Sequence, residues 1–169
     1  LKGATWCDMD LVLIRRLSND SIIISSEHTF QSGAFKSANS YTPNIGLLRM
    51  PPGHPVIEST IKKIENKLSV STGTDNMTVF KKFVNKFMQE HISPPDHFCP
   101  VPWWQTRELY YNDNYLIKYG VNTSDNKTIL NNCYGVHLWN NITYNKHNID
   151  FGKIHINSLY TMIYNIVYN

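Results

Sequence analysis

Apolar residues in this chain change their period from one segment to the next, and that alternation limits what the chain can fold into. Leu11 to Leu17 is an apolar, branched run that predicts a strand. Ile22-Ile23-Ile24 predicts a short second strand, and Ile45 to Met50 a third, closed by Pro51-Pro52-Gly53. The polar, Ser-rich stretch from Ser25 to Thr42 predicts a loop with at most one helical turn. Beyond Pro55, a residue suited to a first helical turn, Ile57, Ile61, Ile64 and Leu68 recur at spacings of four, three and four. They make one helical stripe. Val79, Phe80, Phe83, Val84, Phe87 and Met88 predict a second helix from about Thr78 to about His91, with Lys81, Lys82 and Lys86 mostly off its apolar face.

The segment from Ile92 to Trp104 is too rich in proline and aromatics for regular helix. Arg107 to Tyr119 is ambiguous, and Asn122 to Asn132 reads as a surface loop. Tyr134 to Trp139 reads as a strand. Leu159, Ile163, Ile166 and Val167 predict a C-terminal helix from about Ile154 to Tyr168, packed on a sheet. Interspersed strands and helices give an α/β class. One domain over residues 1–169 accounts for the length, with no internal repeat and no linker.

The net charge of +3 is small and its basic residues are scattered, which argues against a nucleic-acid surface. No apolar run reaches the ~20 residues that span a bilayer. The three cysteines, Cys7, Cys99 and Cys133, form no Cys-x-x-Cys pair, so a zinc or redox motif is not indicated, and at most one disulfide is possible. Asn-x-Ser/Thr triplets stand at Asn19, Asn76, Asn122, Asn126 and Asn141 and carry little weight in so Asn-rich a chain. The first residue is Leu1, read here as not the natural start, with any anchor or targeting segment lying upstream.

Asp8 and Asp10 carry the chemistry. Two carboxylates at i and i+2, just before a strand, sit where the chain leaves the sheet and can present both groups to a ligand if the backbone turns there. Oxygen ligands suit Mg²⁺ or Mn²⁺, which keep positions open for water and phosphate oxygens. An ion so held can neutralise the charge that builds on a departing nucleoside diphosphate. By itself an Asp-x-Asp triplet is common, mostly as exposed turn residues; the surrounding blocks give it weight.

Those blocks occur in order. Lys2-Gly3-Ala4-Thr5-Trp6-Cys7-Asp8-Met9-Asp10-Leu11-Val12-Leu13 comes first, then Pro43-Asn44-Ile45-Gly46 and Pro52-Gly53-His54-Pro55, then Thr72-Gly73 with Thr78 beyond. Phe98-Cys99-Pro100-Val101-Pro102-Trp103 and Tyr134-Gly135-Val136-His137-Leu138-Trp139-Asn140 complete the set. The set resembles the Asp-x-Asp sugar transferases, which include the yeast-type α-1,6-mannosyltransferases and the animal α-1,4-galactosyltransferase that makes globotriaosylceramide. The last two blocks point to the α-1,4 branch. Departures are Thr5 and Trp6 ahead of the acidic pair, Ile45 between Asn44 and Gly46, Thr74 after Gly73, and Cys99 in place of an aromatic.

The resemblance implies a GT-A-like fold, a Rossmann-like mixed sheet flanked by helices. Here that fold would lack its N-terminal strands, since only seven residues precede Asp8. It implies Mn²⁺ (or Mg²⁺) held by Asp8, Asp10 and His137, a nucleotide-sugar donor with a UDP-sugar favoured, and transfer of galactose or an N-acetylhexosamine with retention. The acceptor would be a glycan or glycolipid. Asn44, Gly73, Trp103 and Asn140 are the implied donor- or acceptor-binding residues, with Asn140 open between a phosphate contact and a turn cap. Trp103, Trp104 and Tyr110 could stack on sugar faces or be ordinary packing, and Trp139 is read as packing. The implied compartment is the Golgi lumen, with membrane association through an upstream anchor.

Two other readings stand beside it. A degenerate transferase domain could bind glycans or serve as a structural module. Asp8-Met9-Asp10 also fits the opening of haloacid-dehalogenase-type phosphatases, with Asp8 as nucleophile and Asp10 as acid/base. That family needs an apolar strand before the motif, which Leu1 to Trp6 does not supply, and a later Gly-Asp pair, which the chain lacks.

Overall fold

The computed structural model describes residues 4–29, 41–65, 73–111, 131 and 133–168. The chain forms two compact units, one of Leu1–Asp8 and Asn19–Pro95, the other of Met9–Ser18 and Asp96–Asn169. The class is mixed α/β, as expected, with two small antiparallel sheets rather than one large one among the described residues.

The first unit is built on a three-stranded antiparallel sheet in which β4 (Tyr41–Met50) lies between β1 (Ala4–Cys7) and β3 (Ile23–His28). The Ser-rich segment after Ile24, expected to be a loop, continues β3 to His28 instead. The physical reason is a bulge between Ile24 and Ser26, opposite a β4 segment that includes Pro43. Proline cannot donate to a ladder and is tolerated beside such irregularities. Side chains take over the missing ladder bonds. The Ser25 hydroxyl donates to Asn44 Oδ1 and accepts the Leu47 N–H at 2.8 Å, and Asn44 Oδ1 also accepts the Gly46 N–H at 3.2 Å. Ser25 and Asn44 are buried. A polar stretch can therefore run through the centre of a sheet because its hydroxyl and amide groups are satisfied there.

Pro51-Pro52-Gly53 ends β4 as predicted. Gly53 takes φ +68, a left-handed value that glycine adopts without strain. The His54 carbonyl then accepts the Ile57 and Glu58 N–H groups and opens α1 (Pro55–Glu65). The buried α1 residues are Val56 and Thr60, whereas Ile61 of the predicted stripe is 40% exposed. Leu68, the last of that stripe, lies outside the described residues. Helix α2 (Gly73–Phe87) starts earlier than predicted and gives way to a 3₁₀ turn at Gln89–His91. It buries Val79, Phe80 and Val84, leaves Phe87 exposed, and shares a core with Ile24, Met50, Val56, Met88 and Ile92. Lys81 reaches Glu27 of β3 at 3.2 Å.

The second unit contains the two-stranded ladder of β2 (Leu11–Leu13) and β5 (Gly135–His137), antiparallel with Leu11 opposite His137 and Leu13 opposite Gly135. Both strands are shorter than predicted. The neighbouring Pro- and aromatic-rich segment flanks β5: the His137 N–H donates to the Phe98 carbonyl at 3.0 Å, and the Tyr134 N–H to the His97 carbonyl at 2.8 Å. A Cβ on Gly135 would stand 3.0 Å from both the Leu13 side chain and the Val12 carbonyl, so this close pairing depends on glycine. The core is Val101, Leu109, Tyr110, Cys133, Val136, Ile149, Leu159 and Ile163. Helix α3 (Thr106–Tyr111) resolves the ambiguous segment as helix at its start; residues 112–130 lie outside the described part. A short α4 (Asn140–Ile142) runs into a π turn at Thr143–His147.

The C-terminal helix, α5 (Leu159–Tyr168), begins five residues later than predicted, where Ser158 Oγ accepts the Thr161 N–H and caps it. It buries Leu159 and Ile163 in a core shared with α3 and Val136, while Ile166 and Val167 are exposed. Among the described residues no helix is long and apolar enough to cross a membrane. None of the three cysteines is in a disulfide; Cys7 is exposed and Cys99 and Cys133 are buried.

Two measurements test this packing. Ser25→Ala leaves Asn44 Oδ1 and the Leu47 N–H short of a partner, so it should lower stability by about 1–3 kcal/mol in denaturant titration. A cost near zero would mean that water replaces the hydroxyl. Burial pushes the Cys133 thiol up to about 12, with Asp96 adding to the shift and Arg15 opposing it. Thiolate is the reactive form. A disulfide reagent at pH 8 should therefore modify one thiol rapidly, and Cys7→Ser should remove that phase.

Candidate active site

The acidic pair straddles the start of β2. Asp10 is the residue before Leu11, and the register that sets Leu11 against His137 brings its main chain beside the end of β5. The Leu138 N–H donates to the Asp10 carbonyl at 2.8 Å, so the ladder continues one bond past the strands. Two groups then meet the Asp10 side chain. The Asn140 N–H donates to Oδ2 at 2.8 Å. His137 Nε2 stands 3.4 Å from Oδ1, with the imidazole almost fully buried and the carboxylate about one-fifth exposed. Tyr110 lies in the core close enough to feel the Asp10 charge.

The turn after β5 makes this possible. Trp139 adopts a left-handed backbone, φ 54 and ψ 43, at the entrance to α4. Non-glycine residues rarely do so, and such outliers concentrate at functional sites. The turn is tied down twice: the Trp139 indole N–H donates to the Val101 carbonyl at 2.8 Å, and Thr143 Oγ1 donates to the Leu138 carbonyl at 3.1 Å. The Trp139 main-chain N–H donates to His137 Nδ1 at 3.1 Å, and the two rings lie 4.1 Å apart. Trp139 is thus packing, as expected from the sequence, and a hydrogen-bonding clamp, which no local pattern announced. Asn140 contributes its backbone N–H to Asp10 at the head of a short helix.

Burial pushes the Tyr110 hydroxyl up to about 12; its hydrogen bond with Thr143 opposes the shift, and Tyr160, Tyr144 and Asp10 add to it. The phenol is therefore a neutral donor at any ordinary pH. It is 1% exposed and packs against Tyr160 and Phe151, a wall of the core rather than a stacking surface.

Asp8 belongs to the first unit. Its N–H donates to the Gly46 carbonyl at 2.9 Å, and its Oδ1 accepts the Trp6 indole N–H at 2.9 Å. Ala4–Cys7 is a strand, but an exposed edge paired antiparallel to β4. It is not the apolar strand a phosphatase of the haloacid-dehalogenase type requires. Only Met9 separates the two acidic residues. Covalent geometry holds their Cα atoms within about 7 Å of each other whatever the conformation.

Asp8, Asp10 and His137 each offer one atom of the kind that ligates a divalent ion. The two carboxylates fit Mg²⁺ or Mn²⁺ by donor chemistry, and the Asn140 N–H on Asp10 Oδ2 is the outer hydrogen bond such ligands ordinarily carry. Of the other residues singled out, Asn44 lies in the sheet of the first unit with its amide oxygen bonded to Ser25 and Gly46. Gly73 is the first residue of α2. Trp103 opens a 3₁₀ turn in the second unit and meets Trp104 edge-on at 5.4 Å. Thr72 and Lys2-Gly3 lie outside the described residues. The structure thus brings Asp10, His137 and Asn140 together.

A family model described as the alpha 1,4-glycosyltransferase conserved region matches residues 74–167, more than half of the chain. No curated protein and no solved structure matches. The matched segment contains Trp103, His137, Trp139 and Asn140, and the β2–β5 ladder delivers Asp10, from upstream of it, onto two of these. On that match the chain belongs to the α-1,4-glycosyltransferase family.

Proposed function

We propose that this chain is the catalytic region of a metal-dependent α-1,4-glycosyltransferase of GT-A type. It would move galactose or an N-acetylhexosamine from a UDP-sugar to a glycan or glycolipid acceptor, with retention of configuration. The observation that carries the reading is the grouping of Asp10, His137 and Asn140 at the end of the β2–β5 ladder, with Asp8 tethered two residues away.

Asp8 and Asp10 supply carboxylate oxygens for Mn²⁺ or Mg²⁺, with the His137 imidazole against Asp10. When bound, the cation neutralises charge on the leaving diphosphate. The rest falls to the chain. Asn140 holds Asp10 through one carboxylate oxygen, so little reorganisation is needed when the donor arrives. The buried wall of Tyr110, Val136 and Leu109 beneath the ladder strengthens electrostatic interactions by keeping water away from one side. The bond from the anomeric carbon to the phosphate oxygen breaks, and the acceptor oxygen bonds to the same face of that carbon. The acceptor proton passes to the departing phosphate oxygen. Little general-base chemistry is asked of the protein; positioning and charge stabilisation dominate. Trp103, Asn44 and Gly73 remain proposed donor or acceptor contacts, and a Golgi-lumen setting suits the family.

The test is Mn²⁺-dependent release of UDP from UDP-galactose, UDP-N-acetylglucosamine and UDP-glucose, with GDP-mannose as a second donor class. Asp10→Ala and Asp8→Ala should each lower metal-dependent release by about 100-fold or more, the scale of losing a main electrostatic stabiliser. Full activity in either variant would remove the centre of the reading. Glycan binding without donor hydrolysis by the unmodified chain would identify a binding module instead.

A further inference from the structure

The resemblance implies that His137 is a ligand to the cation, but its hydrogen bonds point to another part. Nδ1 accepts the main-chain N–H of Trp139 at 3.1 Å. An imidazole nitrogen that accepts an N–H bond presents a lone pair, so in the neutral ring the proton sits on the other nitrogen. That other nitrogen is Nε2, which faces Asp10 Oδ1 at 3.4 Å. For Nε2 to ligate a metal it must give up this proton to Nδ1, and Nδ1–H would then confront the Trp139 N–H, donor against donor.

Trp139 cannot easily turn away. Its N–H is aimed by the left-handed backbone, its indole N–H is bonded to Val101, and its ring lies on the imidazole. His137 itself is held from the other side, its own N–H bonded to Phe98. The His137 side chain is 8% exposed, which leaves no room for water to bridge a rearranged pair cheaply.

We propose that His137 is a positioning residue, a hydrogen-bond donor from Nε2 to Asp10, with its tautomer set by the Trp139 N–H, and that it does not ligate the cation. The arrangement holds Asp10 from two sides: Asn140 on Oδ2 and His137 on Oδ1. A carboxylate oxygen that accepts one hydrogen bond keeps a lone pair for a metal, so Asp10 can be oriented and ligate at once. The 3.4 Å separation is longer than a good N–H···O bond, so the donation is completed by a small approach of the two groups. The metal half of the proposal rests on the cation reading above; the tautomer half does not.

The two halves are tested separately. In the metal-free protein at neutral pH, long-range ¹H–¹⁵N correlation of the histidine rings should report His137 as the Nε2–H tautomer. His137→Gln assigns the signal. An Nδ1–H tautomer would overturn the proposal. Trp139→Gly keeps the left-handed backbone and its N–H but removes the ring, so the tautomer should persist; a switch would mean that ring stacking, not the N–H, decides it. In the Mn²⁺-loaded protein, electron spin echo modulation should show no directly coordinated ¹⁴N. A coordinated nitrogen that disappears in His137→Gln would overturn the proposal while leaving the cation reading intact. If no Mn²⁺ binds, the cation reading fails, and the tautomer measurement alone decides the part played by His137.

Discussion

The pairing of Leu11 with His137 is the constraint on which the candidate site depends. Asp10 has no sequence neighbour that could orient it toward Asn140 or His137; the register of a three-residue ladder does so. Strand faces alternate with period two, so a slip of one residue would send His137 to the opposite face and carry Asp10 away from Asn140. So short a ladder is not stable alone. It is braced by the carbonyls of His97 and Phe98 along β5 and by the buried Val136 beneath. Gly135 fixes how closely the two strands approach, since a side chain there would press on both Leu13 and the Val12 carbonyl. The block from Tyr134 to Asn140 is therefore a mechanical unit as well as a chemical one.

The first unit solves a different problem with similar means. A bulge in β3 and a proline in β4 would leave main-chain groups unpaired in the middle of a sheet. Ser25 and Asn44 supply the bonds instead, from buried positions. Such a network is costly when partly satisfied and specific when complete. It commits the Asn44 amide oxygen to the sheet. Any contact Asn44 makes with a ligand must come from its remaining atoms or from a rearranged network.

What could be read in the sequence, and what could not, follows from the range of the interactions. The helix stripes at 57–64 and 79–88 and the strand at 45–50 were legible because apolar periodicity is a local property. The residues that bury on α1 were less so. Val56 and Thr60 face the core and Ile61 faces out, because the partner helix decides which side of a short stripe is covered. Ser25 to His28 read as loop since hydroxyl-rich segments favour turns, and its strand state depends on partners near residue 44. The proximity of Asp10 to His137 depends on pairing across more than a hundred residues, which only the ordered blocks of the family resemblance suggested. The left-handed turn at Trp139 had no local signal at all; a bulky aromatic is a poor candidate for that conformation, and tertiary bonds impose it.

The two acidic residues are held in unlike ways, and this difference bears on how a donor could be gripped. Asp10 is partly buried, with one oxygen on a backbone N–H, the other against an imidazole, and a core tyrosine close by. Asp8 is partly buried too; its Oδ1 accepts the indole N–H of Trp6 and its own N–H donates to the Gly46 carbonyl at 2.9 Å. Met9 between them is fully exposed. Groups held by rigid elements are preorganised. Stabilising a charge that develops during reaction favours such groups, since fixed dipoles need no reorganisation. In the proposed transferase, Asp10 would be fixed through its side chain and Asp8 through its main chain and the Trp6 indole, on either side of the exposed Met9.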